Sequence, residues 1–140
     1  MIIETRSAKE TFELGFEIGS RAKAGEVYTM VGDLGVGKTV FTQDMAKGLE
    51  ISEAISSPTF TIVQVYDAPK PLYHFDMYRI NGWDDLYSTG YFDYLDIGAC
   101  LVIEWSENIE DSLPEDTITI NIEPLGEDKR KFTVFGGMFE

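Results

Sequence analysis

One string in this chain dictates both a local backbone shape and what must flank it: Gly32-Asp33-Leu34-Gly35-Val36-Gly37-Lys38-Thr39, a full match to G-x-x-x-x-G-K-[ST]. Glycines let successive backbone N–H groups turn inward, and those groups then surround the α- and β-phosphates of a nucleoside triphosphate. A helix has to follow at once, aiming the positive end of its dipole at the same anion. Both flanks are present. Glu26 to Val31 is rich in β-formers, and from Lys38 onward Phe41, Met45 and Leu49 recur at helical spacing. The spacing predicts a phosphate cradle of Asp33, Leu34, Gly35, Val36, Gly37, Lys38 and Thr39. Lys38 is expected to reach the β/γ oxygens, and Thr39 to offer its hydroxyl to Mg²⁺. A lysine beside such a loop is expected to contribute little to core packing. The alternative, a glycine-rich turn without chemistry, is disfavoured by the correct strand and helix on either side.

Strand, loop and helix in that order predict an α/β fold: a single P-loop NTPase domain over residues 1–140, with a central mixed β-sheet flanked by helices. Ahead of the loop, Ser7-Ala8-Lys9-Glu10 reads as a capping box opening a helix. Ala8, Phe12, Gly15, Gly19 and Ala22 recur along it, Leu14 and Ile18 widen the stripe, and Gly25 ends the region. After the loop helix, Phe60 to Tyr66 and Leu72 to Tyr78 are β runs joined by a Pro-containing turn, which predicts a hairpin. Short helical turns are expected around Asp84-Asp85-Leu86 and Tyr91 to Tyr94. Cys100 to Glu104 is a continuous apolar run ending in an acid, the pattern of a buried central strand. Thr117 to Glu123 and Lys131 to Phe135 alternate and are expected to close the sheet as an antiparallel pair.

Net charge is −14, from 11 Lys and Arg against 25 Asp and Glu, and no basic cluster rises above that background. Such a surface repels a polyphosphate, so neither DNA nor RNA is an expected direct ligand, and service to a nucleic-acid pathway would run through a basic partner. No apolar run approaches the ~20 residues that cross a bilayer, and Met1-Ile2-Ile3-Glu4 has no signal-peptide character. With Cys100 the single cysteine, no internal disulfide is possible, and its apolar surroundings predict an inert, buried thiol. The expected compartment is the cytoplasm.

A phosphate loop needs a carboxylate on a second strand for its metal ion. Glu104, at the end of Leu101-Val102-Ile103 and followed by Trp105, is the best-placed candidate. In Ser56-Ser57-Pro58-Thr59-Phe60, Thr59 is the candidate switch residue sensing the γ-phosphate and metal. In His74-Phe75-Asp76-Met77-Tyr78-Arg79 alternation puts His74, Asp76 and Tyr78 on one strand face, with Phe75 and Met77 packing on the other. Asp76 is a candidate for orienting the attacking water or for holding a metal-bound water. Arg79 stands alone between Arg21 and Arg130, for structure or for charge neutralisation.

Taken together, Gly32 to Thr39, Ser57-Pro58-Thr59-Phe60, His74 to Arg79 and Ile103-Glu104-Trp105, in that order, resemble the bacterial TsaE (YjeE) family. Members are the P-loop ATPase subunit of the machinery that makes N6-threonylcarbamoyladenosine at position 37 of tRNA. The resemblance covers nearly the whole chain. It implies ATP as substrate, Thr39 and Glu104 on Mg²⁺, Thr59 in the switch and Asp76 near the phosphates, so that Lys38, Asp76, Glu104 and Thr59 would carry the catalysis. It also implies TsaB and TsaD as partners that carry the transferase chemistry, with tRNA reached only through them.

Other classes fit less well. A small-molecule kinase usually brings arginines on a lid, yet the arginines here are Arg6, Arg21, Arg79 and Arg130. A GTPase would carry Asn-Lys-x-Asp, and the nearest string, Asn81-Gly82-Trp83-Asp84, lacks the lysine. A nucleotide-gated binding module, in which ATP closes a partner interface and hydrolysis only resets it, stays open beside the enzyme reading.

Overall fold

The computed structural model describes residues 1–32, 37–51, 63–66, 71–77, 80, 83–96 and 100–137. The two most apolar runs become its central strands. β2 (Val27–Val31) and β5 (Cys100–Glu104) lie side by side and parallel, as segments buried on both faces do. Around them stand β1 (Ile2–Thr5), β3 (Val63–Tyr66), β4 (Leu72–Asp76), β6 (Ile118–Gly126) and β7 (Lys129–Phe135), in the order β1-β7-β6-β2-β5-β4-β3. β6, β2, β5 and β4 run parallel, while β1, β7 and β3 pair antiparallel at the flanks. The sheet is therefore mixed, and the strand entering the phosphate loop lies at its middle.

Strand alternation sends successive residues into two cores. Tyr28, Met30, Val102, Ile118 and Ile120 pack beneath α1 (Ala8–Arg21) and α2 (Lys38–Gly48). Val27, Leu101, Ile103, Phe75 and Met77 meet residues of α3 (Trp83–Ser88) and α4 (Tyr91–Asp96), with Phe75 edge-on to Tyr91. Cys100 is buried in the first core as a free thiol. Among the described residues, no helix is long and apolar enough to cross a membrane.

α1 opens as its sequence predicts: Ser7 Oγ accepts from the Glu10 N–H at 3.1 Å, and Glu10 reaches back to the Arg6 N–H at 2.9 Å. Its buried stripe differs from expectation. Leu14, Gly15, Ile18, Gly19 and Ala22 face inward, while Ala8 is exposed and Phe12 is 40% exposed beside Phe16. The reason is the contact with α2, which is made backbone to backbone. A Cβ added to Gly19 would lie 2.0 Å from the Met45 carbonyl oxygen, and one on Gly48 would lie 2.2 Å from that of Phe16. The glycine face must meet α2, and this turns Phe12 outward.

Asp44, on α2, sits in that contact: a Cβ on Gly15 would come 2.5 Å from its own Cβ. Burial pushes the Asp44 carboxyl up from 3.8 to about 6. A carboxyl whose folded value is raised costs nothing below the unfolded value, where both states hold the proton. The cost grows between about 4 and 6 and is full above that range. Asp44→Asn is therefore expected to stabilise the protein at pH 7.5 by about 1–3 kcal/mol and to leave it unchanged at pH 4. Thermal melts at the two pH values check this; an equal gain at both would trace the effect to packing instead of charge.

Candidate functional site

The central strand delivers the chain to the phosphate loop at Gly32, and the chain re-enters regular structure at Gly37. Asp33, Leu34, Gly35 and Val36, the expected centre of the cradle, lie outside the described residues. Gly37 takes a left-handed backbone (φ 102°) that favours a residue without Cβ, and its carbonyl accepts the Phe41 N–H at 2.9 Å to start α2. Lys38 and Thr39 thus occupy the first turn, at the positive end of the helix dipole. Thr39 is half-buried.

Lys38 is only 6% exposed, and its Nζ lies 4.2 Å from the centroid of the Trp105 ring. That placement follows from a turn. Directly after Glu104, Trp105 adopts a left-handed backbone (φ 60°, ψ 43°), which swings the chain out of β5 into a 3₁₀ helix, Ser106–Ser112. For a bulky residue this conformation costs on the order of 1 kcal/mol, offset here by an ammonium on the indole face. The expectation that Lys38 packs against little is therefore corrected: its stem and charge are both engaged.

Glu104 ends β5 with 5% of its surface exposed. Its Oε2 lies 2.6 Å from His74 Nε2, and the two side chains are 7% and 0% exposed. The parallel register sets Asp76 opposite Glu104, and His74 shares the Asp76 face of β4, while Phe75 and Met77 enter the other core as alternation predicts. Asp76 and Glu104 are thus cross-strand neighbours at the strand ends next to the loop. Thr59, with Ser57, Pro58 and Phe60, and also Tyr78 and Arg79, lie outside the described residues.

No group of three or more His, Cys, Asp and Glu side chains gathers as a metal cage among the described residues. Mg²⁺ needs no such cage, because it keeps waters and takes ligands from phosphates, with one or two protein oxygens. The Thr39 hydroxyl and the Glu104 and Asp76 carboxylates are hard oxygen donors of that kind, so the residues present fit the ion.

On the opposite side of β2, a cleft of about 540 Å³ opens between Val31, Gly32, Trp105, Glu107, Asn121, Ile122, Glu123 and Pro124. It adjoins the first glycine of the loop along the middle of β6, where the register sets Asn121 opposite Val31. Sequence reasoning passed over Asn121, Glu107 and Glu123. For Asn121 and Glu123 the only signal was the polar alternation of the β6 segment, which cannot announce which strand β6 lies beside, and Glu107, in the 3₁₀ helix after Trp105, carried no signal of its own.

A mixed α/β sheet whose middle parallel strand runs into a glycine loop, with a lysine heading the next helix and an acid ending the adjacent strand, defines the P-loop class of nucleotide-binding folds. The family described as Threonylcarbamoyl adenosine biosynthesis protein TsaE matches residues 5–132. A tRNA threonylcarbamoyladenosine biosynthesis protein TsaE from Bacillus subtilis is 41% identical over 140 residues, covering 97% of this chain and 87% of that one. One from Treponema pallidum is 40% identical over 131 residues, 93% and 96% of the two chains. The crystal structure of YdiB from Bacillus subtilis superposes with a TM-score of 0.77 at 35% identity, covering 97% of this chain and 84% of that one. The chain belongs to the TsaE family.

Proposed function

We propose that the protein is a cytoplasmic, single-domain, Mg²⁺-dependent ATPase subunit, required to form N6-threonylcarbamoyladenosine at position 37 of tRNAs reading codons that begin with A, and acting with a TsaB–TsaD transferase complex. The observation that carries this reading is the contact of Lys38, which heads α2 after the glycine loop, with Trp105, the residue directly after Glu104 at the end of the strand parallel to β2. Family membership and the relatives' names supply the pathway.

In this reading Lys38 holds the β/γ oxygens, and the backbone of residues 33 to 39 cradles the phosphates at the α2 terminus. The adenosine half enters the cleft beside Gly32 and Trp105. Thr39 and Glu104 hold Mg²⁺, which when bound neutralises charge on the transferring phosphoryl group. Asp76 orients the attacking water or a metal-bound water, and Thr59 acts as the γ-phosphate switch. With Lys38 as the principal cation of the site, turnover alone is slow and partner contact raises it. The net charge of −14 leaves tRNA binding to the partners.

Steady-state ATP hydrolysis by the pure protein, with and without TsaB and TsaD, tests the proposal. Slow Mg²⁺-dependent turnover, stimulated by the partners, is expected. Absence of turnover in both settings would overturn the enzymatic reading, and tight, salt-resistant tRNA binding by the isolated chain would overturn the indirect one.

A further inference from the structure

We propose that His74 is a positioning residue for ATP hydrolysis, which fixes the orientation of the Glu104 carboxylate and acts through it without touching nucleotide or metal. The inference rests on the reading of Glu104 as the metal-side carboxylate.

The register explains why a histidine stands here. β4 and β5 are parallel, with Asp76 opposite Glu104 and His74 opposite Val102, so His74 is the diagonal neighbour of Glu104 on one sheet face. Diagonal positions lie about 7–8 Å apart, a gap that only long side chains close. The imidazole and the glutamate close it, with Nε2 and Oε2 at 2.6 Å. Donation from Nε2–H to Oε2 ties one carboxylate oxygen and leaves Oε1 for the site. In a buried setting such a charge-assisted bond is strong and directional, and it sets the carboxylate plane before any ligand arrives.

Glu104 is also the only hydrogen-bond partner of the His74 ring among the described residues, since the buried Nδ1 has none. The pair therefore stands apart from a wider network, and removing either member reads out the coupling directly. Outer partners of metal-ligating groups commonly matter by 10–100-fold in affinity or activity. A histidine that merely satisfied a buried acid would shift the melting temperature and leave the metal dependence alone.

The test uses His74→Leu, His74→Gln, Glu104→Gln and the double variant His74→Leu with Glu104→Gln. Readouts are kcat, KM for ATP, melting temperature, and the Mg²⁺ concentration giving half-maximal binding of the β,γ-imido analogue of ATP. His74→Leu is expected to lower kcat about 10–100-fold and to raise the half-saturating Mg²⁺ by a similar factor, with KM within about twofold of wild type. His74→Gln, whose amide reaches as far as Nε2, is expected to recover most of both. In the Glu104→Gln background His74→Leu is expected to add nothing. Wild-type kcat and Mg²⁺ dependence in His74→Leu, or fully additive losses in the double variant, would overturn the proposal while leaving Glu104 in its role. An inert Glu104→Gln would instead sink the reading of Glu104 itself. Should leucine prevent folding, His74→Asn replaces it. Its amide stops short of Glu104, and equal behaviour of the Asn and Gln variants overturns the positioning role.

Discussion

Lys38→Ala is expected to abolish ATP hydrolysis and to weaken ATP binding by about two to four orders of magnitude. Two charge-assisted hydrogen bonds to phosphate oxygens, at about 1.5–3 kcal/mol each, set that scale. The substitution also removes the ammonium from the Trp105 face, 4.2 Å from the ring centroid, and uncovers buried stem. A melting-temperature decrease corresponding to about 1–2 kcal/mol is therefore expected as well. Lys38→Met keeps the stem, so it should recover part of the stability and none of the binding. Calorimetric titration with ATP and Mg²⁺ measures the first effect. Trp105 emission supplies a second readout, because phosphates that draw the ammonium off the indole change its surroundings in the wild type and cannot do so in the variant. A folded Lys38→Ala protein that hydrolyses ATP at the wild-type rate would end the assignment of the cradle.

The sequence is most legible where the physics is local. Val27–Val31, the helix from Lys38 and Cys100–Glu104 are single segments whose apolar pattern states their own burial, and the structure places all three as read. The β3–β4 hairpin and the two short helices after it follow from turn residues and spacing in the same way. What escaped depends on partners distant in the chain. Four residues, Ile2–Thr5, show no periodicity, and become a strand only because β7 offers an edge more than a hundred residues later. Phe12 reads as core until the glycines of α1 claim the α2 contact. Within the site, Glu104 and His74 were each visible from their own segments, whereas their 2.6 Å contact is a property of the β4–β5 register. Trp105 under Lys38 depends on a left-handed turn that no pattern in Glu104-Trp105-Ser106 announces.

Glu104→Gln is the other substitution with a large expected effect, and it separates charge from shape. Glutamine keeps the volume, and its amide oxygen can still accept from His74 Nε2, so the buried pair stays satisfied. What disappears is a negative charge at a site 5% exposed, where water screens little of it. Mg²⁺ affinity is expected to drop, and hydrolysis to fall by about 100-fold or more, the range seen when one electrostatic element of a preorganised site is lost. Nucleotide affinity should change less, because the backbone cradle and Lys38 remain. Stability should hold or rise, since a buried carboxylate carries a desolvation cost that a neutral amide avoids. Activity against Mg²⁺ concentration, run beside thermal melts, distinguishes these terms. Loss of turnover with an intact melt is the signature of a metal-side acid. An unchanged Mg²⁺ curve would make Glu104 an ordinary buried partner of His74, and would move the metal role across the ladder to Asp76, its neighbour on β4.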